Sequence, residues 1–369
     1  MIYLDYAATA PLTKRAKQAW LDAAATTGNA SATHGAGRAA RSVLEDAREE
    51  IADIQRVDAA EVLFTSGGTE ADNLAVAGPA TKGRILTSAI EHPAIREAAE
   101  IAVAKGARHD VIPVGSDGVV DLDELEKMLG DDVALVSVMA ANNETGIIQP
   151  LQKIKELVTE HAPGAHLHTD AVQAVGSINI PDGYAISISG HKLGAPVGIG
   201  ALIAPRDYPL IALEGGGGQE RKVRSGTLNV SGAAALAAAL RESVDTREER
   251  ADNLSALGNR IQDLAESVGG RRSGGDVSRL PHIVHVIFPD TDPEALLLGL
   301  DMAGISCSTG SACSAGVYRP SAVLEAMGEE GAYTALRFSM GEGSTGADVD
   351  ALERALPGTI EMARKAVRV

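Results

Sequence analysis

Between Glu61 and Pro205 the chain alternates short apolar runs rich in β-branched residues with helical stretches. The runs Glu61–Thr65, Arg84–Thr87, Val133–Met139, His166–Asp170, Tyr184–Ser189 and Ile199–Ala204 read as strands. Ala94–Lys105 and Leu151–His161 read as helices between them. This rhythm predicts an α/β domain with a mostly parallel sheet, because parallel neighbours need a crossover long enough to hold a helix. In such sheets ligands gather at the carboxyl ends of strands. A long helical region follows, Ser231–Ser267, rich in alanine and charged residues. Gly269–Gly275 breaks it and is the best internal boundary. Beyond the break, His282–Phe288 and Ala335–Met340 read as strands and Pro293–Met302 as a helix. A last helix is expected from Ala347, with Pro357 kinking or breaking it.

Composition narrows the class. A chain of 369 residues has room for two cores, and 45% hydrophobic with 22% charged residues is the balance of a globular protein. No run is long enough to cross a bilayer, and Met1–Asp5 lacks the basic-then-apolar order of a signal peptide, so neither membrane nor export is expected. The two cysteines, Cys307 and Cys313, make no disulfide framework, which favours a reducing cytoplasm. Nine scattered histidines lack zinc spacing, so no metal is expected. A net charge of -17 argues against direct contact with nucleic acid.

Five short motifs fall at predicted strand ends. Lys192, in Ser189-Gly190-His191-Lys192, stands where a neutral amine could form a Schiff base with an aldehyde cofactor. Taken alone it is a solvated lysine after a turn. Asp170, in His168-Thr169-Asp170-Ala171-Val172-Gln173, could keep a pyridine nitrogen protonated, with Gln173 reaching a ring hydroxyl, or could merely cap the next helix. Ser66-Gly67-Gly68-Thr69-Glu70 opens a helix, where free backbone N–H groups favour an anion such as a phosphate. His92, in Glu91-His92-Pro93, could stack on a flat cofactor or move protons. Asn142-Asn143-Glu144-Thr145-Gly146 reads equally as a polar turn. Each signal is weak by itself, but their order allows all five to face one crevice.

Together these residues resemble the cysteine desulfurases of the class V aminotransferase family. The resemblance runs from Tyr3-Leu4-Asp5-Tyr6-Ala7-Ala8-Thr9 to Arg337-Phe338-Ser339-Met340-Gly341. It implies the aspartate aminotransferase-like fold (fold type I), with a large cofactor-binding domain over 13–255. Residues 1–12 and 256–369 would form the small domain carrying the cysteine segment. It also implies pyridoxal 5'-phosphate as cofactor, bound covalently by Lys192. His92 would stack on the ring, Asp170 pair with its nitrogen and Gln173 with its oxygen. Gly68, Thr69, Ser189 and His191 would hold the phosphate. Thr227, in Arg224-Ser225-Gly226-Thr227, would reach the partner's phosphate across a homodimer. Asn143 and Arg337 would hold the substrate carboxylate, a role that suits the planar fork of arginine.

Thr309-Gly310-Ser311-Ala312-Cys313 matches the S-G-S-A-C motif of the group I enzymes with Thr in first place. The resemblance therefore implies that L-cysteine becomes L-alanine, with its sulfur carried as a persulfide on Cys313. His92 would move protons near the sulfur. An acceptor protein would take the sulfur on, for iron-sulfur cluster assembly or for tRNA or cofactor thiolation. The small residues of this segment, Gly310 to Gly316, suggest mobility. Cys307, at the end of an apolar run, is expected to be partly buried and not the carrier. Three departures stand out: Ala30 replaces a proline in Gly28–His34, Gln219 a histidine and His282 an asparagine. The chain also stops soon after Arg337, so the C-terminal extension by which relatives dock a scaffold is expected to be missing. Two other readings stay open, a related aminotransferase or selenocysteine lyase, and a non-catalytic sulfur-relay scaffold.

Overall fold

A computed structural model describes residues 1–310, 321–329 and 333–367. Strand β1 (Ile2–Tyr3) leads into helix α1 (Lys14–Ala24), whose first turn is capped by the Thr13 hydroxyl accepting from the Ala16 N–H. Helix α2 (Gly35–Gln55) is capped by His34 Nδ1 on the Gly37 N–H. The histidine starts this helix without the proline that the related motif carries.

Strands β2 (Val62–Thr65), β3 (Arg84–Ser88), β4 (His109–Ile112), β5 (Val133–Ser137), β6 (His166–Asp170), β7 (Tyr184–Ser189) and β8 (Gly200–Ile203) form one seven-stranded sheet. Its order is β2-β8-β7-β6-β5-β3-β4, parallel except that β8 runs against both neighbours. Helices α3 (Gly68–Ala77), α4 (Pro93–Ala104), α5 (Leu122–Met128) and α6 (Leu151–His161) connect its strands. Leu74 of α3 and Ile95 of α4 pack on one side of the sheet. Leu44 and Ile51 of α2 and Ile154 of α6 pack in the larger cluster on the other. Burial on both faces explains why β5 and β7 read as continuous apolar runs. Sequence reading missed β4, because this edge strand exposes Asp110 and Val111 and shows no clean apolar pattern.

The predicted helical region after the sheet is two helices, α7 (Val230–Asp245) and α8 (Arg247–Ser267), divided at Thr246. No glycine or proline marks the break. The turn is held instead by Arg247 and Arg250, which both donate to the Gly176 carbonyl. The glycine-rich break beyond it contains strand β9 (Arg271–Arg272), paired with β10 (Ile283–Pro289). Helix α9 (Pro293–Met302), strand β11 (Ile305–Ser306), helix α10 (Ala322–Ala326), strand β12 (Tyr333–Ser339) and helix α11 (Gly346–Val367) follow. β10 pairs antiparallel with β12, and β1 parallel with β11. A second apolar cluster joins Leu4 of the N-terminal arm to Leu257, Phe288, Leu296, Phe338 and Ile360. Of the kink or break expected at Pro357, the break does not occur: α11 runs through it. Pro357 faces solvent, where water can satisfy the carbonyl it leaves unpaired, while Leu352, Leu356 and Ile360 hold the inner face.

Candidate functional site

The carboxyl ends of β6 and β7 lie side by side, with Asp170 opposite Ser187 in the register. Lys192 follows β7 by one short turn of 3-10 helix, Gly190–Lys192. Its Nζ donates to the carbonyls of Ala7 at 2.6 Å and Ala8 at 2.7 Å, so the N-terminal arm meets the amine directly. Gln173 donates to the same Ala7 carbonyl at 2.9 Å. Burial, helped by the Arg337 charge, lowers Lys192 to about 8. A lysine so placed loses its proton within reach of neutral pH, as attack on an aldehyde requires.

Asp170 is buried, and one carboxylate oxygen accepts from the Val172 N–H at 2.8 Å. Burial raises its carboxyl above the usual range, while the Lys192 charge pulls it down. Behind it, Asp72 is wholly buried and its Oδ1 has no hydrogen-bond partner among the described residues. His168 Nε2 stands 3.7 Å from that oxygen, and the ring is held between the hydroxyls of Ser137 and Ser187 at 2.8 and 2.9 Å. Burial drives His168 down to about 3, so it is neutral and supplies no counter-charge. The side chains of Asp72, His92 and Asp170 converge with ligand atoms within 4.8 Å of one another.

His92 is the N-cap of α4, its Nδ1 accepting from the Ala94 N–H at 3.1 Å. Burial and the Lys192 charge lower it, so the imidazole is neutral at pH 7. Its neighbour Glu91 is buried and takes the Ser88 hydroxyl and the Met139 N–H on one oxygen, at 2.6 and 2.7 Å. Burial lifts Glu91 to about 8.

The helix-start motif opens α3. Gly67 precedes it, and among the described residues no side chain caps that helix end. A Cβ built on Gly67 would meet nothing nearer than Ser189 Oγ, at 3.9 Å, so the turn leaves open space beside that hydroxyl. A Cβ on Gly68 would lie 2.8 Å from Val172, so a larger residue there would have to displace Val172 or the turn itself. His191 meets Thr9 at 3.2 Å. A free helix N-terminus, a hydroxyl and an imidazole suit a phosphate. An amine near its titration point, a buried carboxyl and a neutral imidazole suit an aldehyde, a ring nitrogen and a ring face. The donor set therefore fits pyridoxal 5'-phosphate.

Arg337 lies on β12 and is 4% exposed. It donates to Asp5 at 2.8 Å and to the Asn143 carbonyl at 2.8 Å, while its Nε has no partner among the described residues. Asn142 locks its turn by accepting from the N–H groups of Glu144 and Thr145. Thr227 is exposed, near Arg224, which donates to Glu70 of α3 at 2.8 Å. Gln219 and His282, where the sequence departs from the related pattern, have structural surroundings of their own. Gln219 accepts from the Gly226 N–H at 2.8 Å, and burial lowers His282 to about 4. Cys307 packs against the Leu4 cluster, and burial pushes its thiol up to about 12. Cys313 lies outside the described residues.

The class-V aminotransferase model matches residues 2–352. The chain belongs to that family. An IscS-like cysteine desulfurase of Mycobacterium tuberculosis is 43% identical over 99% of this chain and 98% of its own length. A protein described as a putative cysteine desulfurase IscS 1 of Bacillus subtilis is 40% identical over 94% of this chain and 95% of its own. Among solved structures, a NifS-like protein superposes with a TM-score of 0.91 at 32% identity, covering 98% of this chain and 99% of that one. The expected fold, that of the fold type I pyridoxal-phosphate enzymes, is therefore the observed one. In this class-V enzyme several strand-end motifs lie close together: His92 and Asp170 converge, the Lys192 charge acts on both, and the turn before α3 opens beside Ser189. Sequence reading missed Asp72, His168 and Glu91 as members of the site. Glu91 adjoins a singled-out histidine and could have been found by that. Asp72 lies inside a helix with no local mark.

Proposed function

We propose that the chain is a pyridoxal-phosphate-dependent cysteine desulfurase that moves the sulfur of L-cysteine onto Cys313. The observation that carries this is the convergence of Asp170 and His92, both acted on by the Lys192 charge, in a site that also has an uncapped helix N-terminus beside Ser189. It is supported by the kinship with relatives named as cysteine desulfurases and by a T-G-S-A-C motif.

The bound cofactor supplies a reactive aldehyde and an electron-withdrawing pyridine ring. Lys192 would hold it and serve as the base that removes and returns the substrate's α-proton. Asp170, as an anion, would hold the ring nitrogen and keep it protonated. His92 would stack on the ring and carry protons near the sulfur. Gly68, Thr69, Ser189 and His191 hold the phosphate, with Thr227 of a second copy completing it in a homodimer. Arg337, with Asn143, takes the substrate carboxylate, exchanging the Asp5 carboxylate for it. The Cys313 thiolate then attacks the substrate sulfur. A sulfur–sulfur bond forms and the carbon–sulfur bond breaks. The bonding pair stays with the carbon, which takes up a proton to give L-alanine. The persulfide passes its terminal sulfur to an acceptor protein, for iron-sulfur clusters or for tRNA or cofactor thiolation. We read residues 13–255 as the cofactor-binding unit and 1–12 with 256–369 as the smaller one. No helix among the described residues is long and apolar enough to cross a membrane, and we place the enzyme in the cytoplasm.

The test is to supply L-cysteine and the cofactor and to measure alanine and sulfide. Wild type should release alanine, and Cys313→Ala should not. Alanine at the wild-type rate from Cys313→Ala would refute the assignment of the sulfur carrier. Amino-group transfer to a keto acid without desulfuration would make the chain an aminotransferase.

A further inference from the structure

Glu144 has no part in the chemistry above, yet it is buried at 8% exposure in the turn beside Asn143. Its carboxylate accepts from the Ser321 hydroxyl at 2.5 Å. Ser321 is itself buried and accepts from the Leu324 N–H at 3.2 Å, capping α10. From the other side, Gly310 rests on the same residue. A Cβ built there would lie 3.2 Å from Glu144 Cβ and 3.3 Å from Cγ, so only a glycine packs this closely without displacing Glu144. Gly310 also has φ +83°, a conformation side chains rarely adopt. Just before it, Ser308 exchanges backbone hydrogen bonds with Arg337 at 2.7 and 3.2 Å, and its hydroxyl accepts from the Gly310 N–H at 3.0 Å. Arg337 in turn donates to the Asn143 carbonyl in the same turn.

The described residues on either side of the Cys313 segment, Gly310 and Ser321, thus both end on one buried side chain. That side chain is tied through its own turn to Arg337. Cys313 is three residues along the chain from Gly310. Fixing the two stems therefore limits where its sulfur can go. We propose that Glu144 is a positioning residue for sulfur transfer, tethering both stems of the Cys313 segment to the turn that contacts Arg337. This rests on the desulfurase reading. A carboxyl that only filled a buried gap would affect stability and all steps alike. A tether affects the step that uses Cys313 and spares those that use Lys192 alone.

The test compares the holoenzyme of wild type, Ser321→Ala, Glu144→Ala and Glu144→Gln in three measurements. The first is alanine formed from L-cysteine. The second is exchange of the α-proton of L-alanine with deuterated water, which needs Lys192 but no thiol. The third is the rate of Cys313 alkylation by iodoacetamide, mapped by mass spectrometry with Cys307 as internal reference. For Ser321→Ala and Glu144→Ala we expect alanine formation to fall roughly ten- to a hundred-fold, with exchange held within about twofold and Cys313 alkylation altered at least about threefold. Glu144→Gln keeps an acceptor oxygen for Ser321 and should recover most of the loss. The proposal is overturned if desulfuration keeps its wild-type rate in both alanine variants. It is equally overturned if desulfuration and exchange fall together, or if Cys313 alkylation is unchanged. A wild-type enzyme that formed no alanine from L-cysteine would overturn the desulfurase reading itself, and the tether with it.

Discussion

The segment that carries Thr227 is anchored by a buried ion pair, and breaking one side of that pair should cost more than breaking both. Arg48 of α2 donates to both carboxylate oxygens of Glu220, at 2.7 and 2.9 Å, and to the Val62 carbonyl at 2.5 Å. Glu220 also accepts from the Phe64 N–H at 3.0 Å, and its side chain is only 2% exposed. Replacing Arg48 by Met keeps an apolar stem but deletes the guanidinium, whose Cζ lies 4.8 Å over the Phe64 ring, and with it the charge. The Glu220 carboxylate is then buried without a counter-ion, and the expected loss is about 3–5 kcal/mol. Adding Glu220→Gln removes the stranded charge but keeps an oxygen for the Phe64 N–H. What remains is mainly an unpaired Val62 carbonyl contact, at about 1–3 kcal/mol. The second substitution should therefore restore on the order of 2 kcal/mol to the first, a coupling of the size that neighbouring groups show. Urea unfolding of wild type, Arg48→Met, Glu220→Gln and the double variant at pH 7, followed by far-ultraviolet circular dichroism, measures it. High salt should change the difference little, since the pair is shielded from solvent ions. If Glu220→Gln destabilises the Arg48→Met protein further, the loss is lost packing and the electrostatic reasoning is wrong.

The remaining expectations concern titration and the cysteines. Glu91 is raised from 4.5 to about 8, so wild type should lose stability as pH rises from about 4.5 through about 8, while the unfolded chain ionises and the folded one does not. Glu91→Gln removes that dependence, so its unfolding midpoint should gain on wild type across this window; parallel curves would show that Glu91 is ionised when folded. Lys192 is lowered to about 8, so its trapping by pyridoxal phosphate and borohydride should accelerate as pH rises through about 8. Peptide mapping should place the adduct there, and a label on another lysine would reject the assignment. Cys307, pushed up to about 12, should alkylate slowly at pH 8 compared with Cys313, and Cys307→Ala should keep most turnover. Loss of turnover in Cys307→Ala, with turnover kept in Cys313→Ala, would reverse the two roles.

Local pattern alone determined much of this molecule. Strands His166–Asp170 and Tyr184–Ser189 and helices Leu151–His161 and Pro293–Met302 match the predicted bounds. Each is bounded within a few residues by its own apolar pattern, turns and caps. Lys192, Asp170, His92 and the glycine turn before α3 were visible because a strand end marks each one, and parallel strands bring such ends to one edge. Tertiary structure alone decided the rest. Asp5, Asn143 and Arg337 meet across 332 positions of chain, and Glu144 reaches Ser321 across 177. No spacing rule joins residues so far apart. The strand order sets Asp72 and His168 behind Asp170, and their charge states follow from burial, which has no local signature. Pro357 reads as a helix breaker, yet it sits within α11 because the solvent side of that helix tolerates it. A residue's type and near neighbours state what chemistry it can do. Whether it is dry, paired or free to do it depends on elements that only the folded chain brings beside it.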